Sequence, residues 1–204
     1  MREPANRPLA HALSADTAKA LQQAVDYTPG VTVICGFPAS GKTTATTYLA
    51  GLLDAVVFDK DHFAPQLEES VMAELTGDRH DRDSDIYARV VAPHLYQALV
   101  RTAVTVAERC PVLIDAPFLG YIRAATTSRI SLADHIRAVA GAPATAVRTI
   151  WLASDPDRIR QRMQARAAER DRSKLADWPA YRDGVLTSGL DRLARTVVDQ
   201  VVPN

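Results

Sequence analysis

Five short apolar runs, separated by stretches of helical spacing, predict an α/β fold: a parallel sheet with helices on both of its faces. A glycine-rich turn, "GFPASGKTT", lies between the first run and a helical segment. Two further runs end in an acid, Asp59 and Asp115. Ligands of parallel sheets bind beyond the carboxyl ends of the strands, so the turn and both acids are expected to converge on one edge.

The elements are read in order. Residues 1–13 carry two prolines and little pattern, and are expected to form a loose arm. Ser14 caps a helical stretch that runs to Tyr27 and is stopped by Thr28-Pro29-Gly30. "VTVIC" is a buried strand, the segment from Lys42 to Leu53 a helix, and "AVVFD" a second strand. "PQLEESVMAELTG" is helical and ends at Gly77; the charged stretch from Asp78 to Asp85 leads into a long helix from Ile86 to about Arg109. Pro93 should kink or split that helix, because it lacks an N–H and its ring clashes with the preceding turn. "PVLIDAPF" is a third strand and turn, "SLADHIRAVAG" a helix, and "AVRTIWLAS" a fourth strand. "DPDRIRQRMQARAAERD" reads as one charged helix, and "RTVVDQVV" as a last strand.

The totals bound the function classes. The 204 residues suffice for one substantial core, so the chain is read as one domain over 1–204. Lys and Arg balance Asp and Glu at 24 each, which argues against a protein built around nucleic acid or an anionic membrane. Cys35 and Cys110 each adjoin an apolar run and read as reduced core thiols. The first residues lack the apolar core of a secretion signal, and no run approaches the roughly 18 apolar residues of a membrane span. A cytoplasmic location is expected.

Gly36-x-x-x-x-Gly41-Lys42-Thr43 has the spacing of a phosphate-cradling loop. Its glycines let backbone N–H groups turn inward, and the helix that follows adds positive potential at its N-terminus. Gly36, Phe37, Pro38, Ala39, Ser40, Gly41, Lys42, Thr43 and Thr44 are therefore the expected nucleotide-binding residues. Lys42 should reach the β- and γ-phosphates, and Thr43 with Asp115 should hold Mg²⁺. No Asn-Lys-x-Asp segment reads guanine, and no glutamate follows Asp115 to activate water.

"FDKDHF" places Asp59 and Asp61 just past the second strand, where one carboxylate can accept the proton of an incoming hydroxyl. Asp61 is the first candidate for that base and Asp59 the second. Arg158, Arg162, Arg166 and Arg170 recur every four residues, which on one helix gives a shared face. Such a row is ordinarily a solvated surface. With so few acids on that face, Arg162, Arg166 or Arg170 is expected to close over a triphosphate instead.

The motifs "GFPASGKTT", "DKDHF", "VLIDAPF" and "RMQARAAERDRSKLADWPAY", in that order, resemble the small P-loop kinases related to gluconate kinase and chloramphenicol phosphotransferase. They resemble more closely the zeta-toxin-like and AAA-type ATP-binding proteins. The resemblance implies a three-layer P-loop NTPase fold with strand order 2-3-1-4-5, ATP on the loop, and a mobile lid. Residues 62–110 would then form an acceptor-side helical insertion and 155–182 the lid region. His62 is followed by Phe63, not by the proline of the gluconate-kinase pattern, so gluconate is not the expected acceptor.

The leading expectation is an ATP- and Mg²⁺-dependent transfer of a phosphoryl group to a hydroxyl of a small polar metabolite or antibiotic. Arg79, Asp81, Arg82, Asp83, Asp85, Tyr87, Arg89, Phe118, Tyr121 and Arg123 are candidates for the acceptor side. The alternatives are an ATP-binding regulatory protein with slow hydrolysis and a polynucleotide 5′-hydroxyl kinase, the latter disfavoured by the neutral charge balance.

Overall fold

The computed structural model describes residues 13–25 and 28–204. Among them, five strands form one all-parallel sheet: β1 (Gly30–Cys35), β2 (Val56–Asp59), β3 (Pro111–Asp115), β4 (Val147–Ala153) and β5 (Gln200–Pro203). Their order is β2-β3-β1-β4-β5, the order that the family resemblance implies. β1 is central and buried along its whole length, as its unbroken apolar run requires.

Alternation along the strands divides the core in two. Ile34, Leu113, Ile150 and Leu152 face α1 (Ala15–Ala24) and α2 (Lys42–Leu53), where Leu21, Leu49 and Leu53 are buried. Val31, Val33, Val112, Ile114 and Trp151 face the opposite way, into the larger cluster. After β2 come the single turn α3 (Lys60–Phe63) and α4 (Pro65–Thr76). The larger cluster is completed by α5 (Ala92–Ala107), α6 (Leu119–Ser128), α7 (Leu132–Ala140), α8 (Pro156–Arg166) and α11 (Leu190–Val197). Two short helices, α9 (Arg172–Ala176) and α10 (Trp178–Tyr181), lie between α8 and α11. A fully buried Leu or Ile here contributes about 1.5–3 kcal/mol.

Several boundaries differ from the sequence reading. The arm over 1–13 falls, apart from Leu13, outside the described residues, as do Asp26 and Tyr27. α1 starts at its Ser14 cap as expected but ends at Ala24, with Val25 already extended. The long helix expected from Ile86 is interrupted beside Pro93, as expected of that proline: a π-helical turn spans Tyr87–Val91, with the Ala92 amide on the Tyr87 carbonyl, and α5 runs on from Ala92.

The charged helix is also broken, because Ala167 adopts φ 47° and ends α8. Arg170 thus lies beyond α8, on a 3₁₀ turn over Glu169–Asp171, and does not share one helical face with Arg158, Arg162 and Arg166. The "RTVVDQVV" strand is a correction too, since Arg195 to Val197 belong to α11. Val197 is buried against the core, and Asp199 then locks the turn into β5 by accepting from the Thr149 amide and hydroxyl, each at 2.8 Å. α6 was not read from the sequence. It starts at Phe118 and stops at Arg129, both left-handed non-glycine residues, so neither a polar cap nor a glycine marks it. Among the described residues no helix is long and apolar enough to cross a membrane.

Candidate active site

The topology brings three strand ends together. In register, Ile34 of β1 and Asp59 of β2 both flank Asp115 of β3. The chain leaves β1 into the loop Gly36–Thr44 and enters α2, whose N-cap is Gly41 at φ 97° with no side-chain cap. The first N–H groups of α2 therefore keep no side-chain partner, the arrangement that suits an anion.

The loop is held by residues far along the chain. Its Ser40 carbonyl accepts from Arg162 Nη1 at 2.8 Å, Asn204 Nδ2 at 2.7 Å and Ser154 Oγ at 3.0 Å. A methyl group on Gly41 would stand 2.3 Å from Asn204 Nδ2, and one on Gly36 would stand 2.8 Å from the Leu152 carbonyl. Only glycine fits either position. Phe37 turns its ring into the core, edge-on to Trp151 at 5.2 Å, and offers the loop its backbone alone.

Lys42 is buried, and its Nζ donates to the Gly36 and Phe37 carbonyls at 3.2 and 2.9 Å. Burial pushes its ammonium below the ordinary lysine value, against the opposing pull of Asp115 and Asp61. Thr43 donates its hydroxyl to Asp115 Oδ2 at 2.7 Å. Burial also pushes Asp115 up, with the Lys42 charge and the Thr43 bond working the other way. The Thr43–Asp115 pair offers hard oxygen donors at the mouth of the loop, the chemistry that fits Mg²⁺. Among the described residues no group of three or more His, Cys, Asp or Glu is placed to hold a metal by itself.

Asp59 caps the α3 turn: its Oδ1 accepts from the Asp61 amide at 2.8 Å, and its Oδ2 lies 3.0 Å from His62 Nδ1. Asp61 pairs with Arg170 from beyond α8, and Lys60 Nζ lies 3.6 Å away. Burial raises Asp61, but the surrounding cations Arg170, Lys60, Arg82 and Lys42 outweigh it and hold the carboxyl below its ordinary value. Lys60 itself turns into the protein, onto buried Glu68, which also accepts from Tyr87 at 2.6 Å and Arg82 at 3.0 Å. Among the described residues Arg82 Nε has no hydrogen-bond partner.

Most of these groups line one cleft of about 1110 Å³. It takes in Lys42, Thr43, Asp59, Asp61, Asp115 and each of Arg162, Arg166 and Arg170. The broken helix therefore still delivers all three candidate arginines to one place. They arrive differently engaged: Arg162 on the loop, Arg166 on buried Asp171, and Arg170 on Asp61. Arg158 does not join them and pairs with Asp155. Arg82, Asp83, Tyr87, Phe118, Tyr121 and Arg123 line the cleft too, whereas Asp81 caps its own turn. Sequence reasoning missed Glu68, Tyr96, His135, Ser154 and Asn204. Asn204 meets the loop across 164 positions, so no local spacing could have disclosed it.

Comparison with known proteins adds the following. No curated protein sequence matches the chain. Among solved structures it is similar to shikimate kinase from Acinetobacter baumannii in complex with shikimate, at 18% identity and TM-score 0.48, covering 92% of this chain and 87% of that one. It is also similar to a gluconokinase from Sinorhizobium meliloti 1021, at 17% identity and TM-score 0.45, covering 86% and 81%. Residues 31–184 match the family described as AAA domain, a span that runs from β1 past the arginine-bearing segment. With its glycine-rich loop at the head of α2 and its parallel sheet, the chain belongs to the AAA domain family of P-loop nucleotide-binding proteins.

Proposed function

We propose that the protein is an ATP-dependent phosphotransferase that moves the γ-phosphoryl group to a hydroxyl of a small molecule. The observation that carries this reading is the meeting of Asp61 and Arg170 in the same cleft as Lys42, Thr43 and Asp115. A protein that only binds nucleotide has no use for a carboxylate on the far side of the phosphate loop.

In this reading residues 62–110 form the acceptor side and 155–182 the lid. Backbone N–H groups of Gly36–Thr44 cradle the phosphates. Lys42 exchanges its two loop carbonyls for phosphate oxygens and spreads the charge that develops on the leaving group. Thr43 and Asp115 would hold Mg²⁺, which when bound neutralises charge on the terminal phosphates. Arg170 swings from Asp61 to the transferring group, which frees the carboxylate to accept the hydroxyl proton. The acceptor oxygen bonds to the γ-phosphorus, the bond to the bridging oxygen breaks, and ADP departs. Because such transition states are loose, positioning matters more than base strength.

The test is an acceptor screen with γ-labelled ATP and Mg²⁺ against pooled hydroxyl compounds, with Lys42→Ala as control. Label that enters a pool in the wild type and not in the control supports the reading. Tight nucleotide binding with label released only as inorganic phosphate would turn the assignment to an ATP-dependent regulatory protein. Transfer confined to oligonucleotide ends would turn it to a polynucleotide kinase.

A further inference from the structure

Arg162, Ser154 and Asn204 meet at the seat of the phosphate loop, and no step of phosphoryl transfer uses them. They come from α8, from the turn after β4 and from the residue after β5, and they share one backbone oxygen, that of Ser40. The Ser154 hydroxyl has a single proton for two acceptors, the Ser40 carbonyl at 3.0 Å and the Asn204 main-chain oxygen at 2.6 Å. It also accepts from Arg162 Nη1 at 3.1 Å. Arg162 Nη1 at 2.8 Å and Asn204 Nδ2 at 2.7 Å are thus the donors that match the two lone pairs of the carbonyl. The Asn204 side chain is delivered by its own backbone, whose N–H donates to the Ala153 carbonyl at 2.7 Å.

The loop needs such a hold. Ala39 stands at φ 60°, a left-handed conformation that a residue with a side chain keeps only where its surroundings impose it. Ser40 is fully buried, and among the described residues its Oγ has no hydrogen-bond partner. Both features oppose this conformation. The bonds to the Ser40 carbonyl, one of them from a guanidinium, offset them. Direction matters as well. The peptide is planar and trans, so a carbonyl turned toward Arg162 and Asn204 turns the Gly41 N–H the opposite way. Gly41 is the N-cap of α2, and Lys42 and Thr43 after it line the cleft. Arg162 also differs from its neighbours in what it holds. Its partners are neutral oxygens, whereas Arg166 and Arg170 pair with Asp171 and Asp61, both carboxylates of the cleft.

We propose that Arg162 and Asn204 are positioning residues for the nucleotide: by holding the Ser40 carbonyl they fix the peptide that aims the Gly41 N–H at the phosphates. Neither side chain needs to touch the nucleotide. Arg162 then belongs to the seat of the loop and does not travel with the lid, which leaves Arg166 and Arg170 as the arginines free to engage a terminal phosphate. The assignment requires nucleotide binding alone and stands whether or not a phosphoryl group is transferred.

The test is calorimetric titration of ADP with Mg²⁺ into the wild type, Asn204→Ala, Asn204→Leu, Arg162→Met and the double variant Asn204→Ala/Arg162→Met. Adenosine binding is followed by saturation-transfer NMR, and thermal melting of each unliganded variant checks that it is folded. Asn204→Ala and Arg162→Met should each weaken ADP about five- to tenfold, the worth of one hydrogen bond, and leave adenosine within about twofold. Asn204→Leu keeps the bulk and removes the donor, so it should be as weak as Asn204→Ala. The double variant should lose less than the product of the single losses, because both side chains act through one carbonyl. Unchanged ADP affinity in either single variant, affinity recovered in Asn204→Leu, or a fully multiplicative double variant overturns the proposal. So does a parallel loss of adenosine, which would put these side chains on the base. Should Arg162→Met fail to fold, Asn204→Ala and Asn204→Leu decide alone. The titration needs no acceptor, so its failure and that of the phosphotransferase reading are separate results.

Discussion

Gly41→Ala tests the phosphate cradle against its own background. Gly41 stands at φ 97°, where an L side chain is strained by about 1–2 kcal/mol. Its methyl group would also lie 2.3 Å from Asn204 Nδ2, so that amide must leave the Ser40 carbonyl, a hydrogen bond of about 0.5–1.5 kcal/mol. Together about 1.5–3.5 kcal/mol is lost, which for a domain of this size lowers Tm by roughly 3–14 °C. Gly77→Ala is the control: it has a similar φ of 77° at the end of α4, but nothing lies within 4 Å of the added methyl. It should lose only about 1–2 kcal/mol. The assay is thermal melting with and without ADP and Mg²⁺, where ligand at a hundred times Kd adds about 2.7 kcal/mol. Gly77→Ala should keep the full nucleotide-dependent rise and Gly41→Ala should lose most of it. Equal melting of the two variants, or an undiminished rise in Gly41→Ala, would refute the reasoning.

Other outcomes follow from the same geometry. Asp61→Asn should leave ADP affinity within about threefold and lower kcat by about 10²–10⁴, measured by calorimetry and steady-state kinetics; parallel loss of both would count against its role as base. Arg170 helps to hold Asp61 below its ordinary value, so Arg170→Gln should move the acid limb of the kcat/KM profile to higher pH. The same depressed value means that Asp61 contributes stability above pH 3.8, its ordinary value, and loses it as pH falls through the lower folded value. Urea unfolding of wild type and Asp61→Asn should therefore converge below that pH. Thr43→Val removes the hydroxyl bonded to Asp115, and should raise the Mg²⁺ concentration for half-maximal rate at least tenfold with nucleotide affinity in the absence of metal retained.

The strands and the phosphate loop were legible because they rest on local signals: continuous apolar runs, a fixed glycine spacing, and acids at strand ends; the strand order followed only from the family resemblance. The acids converged because a parallel sheet leaves them no other edge. What escaped had no local signature. α6 begins and ends on left-handed Phe118 and Arg129, positions that normally announce themselves as glycine. The arginine row read as one face, yet Ala167 breaks the helix, and beyond the break Arg166 pairs with buried Asp171 while Arg170 pairs with Asp61. Lys60 stands between two acids in the sequence, yet its short ion pair, at 2.5 Å, is with Glu68 eight residues on, and Asp61 lies farther off at 3.6 Å. The ring contacts of Tyr96 with Phe118 and of Tyr121 with His135 needed tertiary structure altogether, since they join three separate segments.

The most direct test of the central claim is to follow γ-labelled ATP by phosphorus NMR in the presence of the acceptor pool, with wild type, Asp61→Asn and Lys42→Ala in parallel. The account predicts a phosphoester resonance that grows with ADP at equal rate in the wild type, slows at least a hundredfold in Asp61→Asn, and is absent in Lys42→Ala. Growth of inorganic phosphate alone, at a rate indifferent to Asp61, would contradict it.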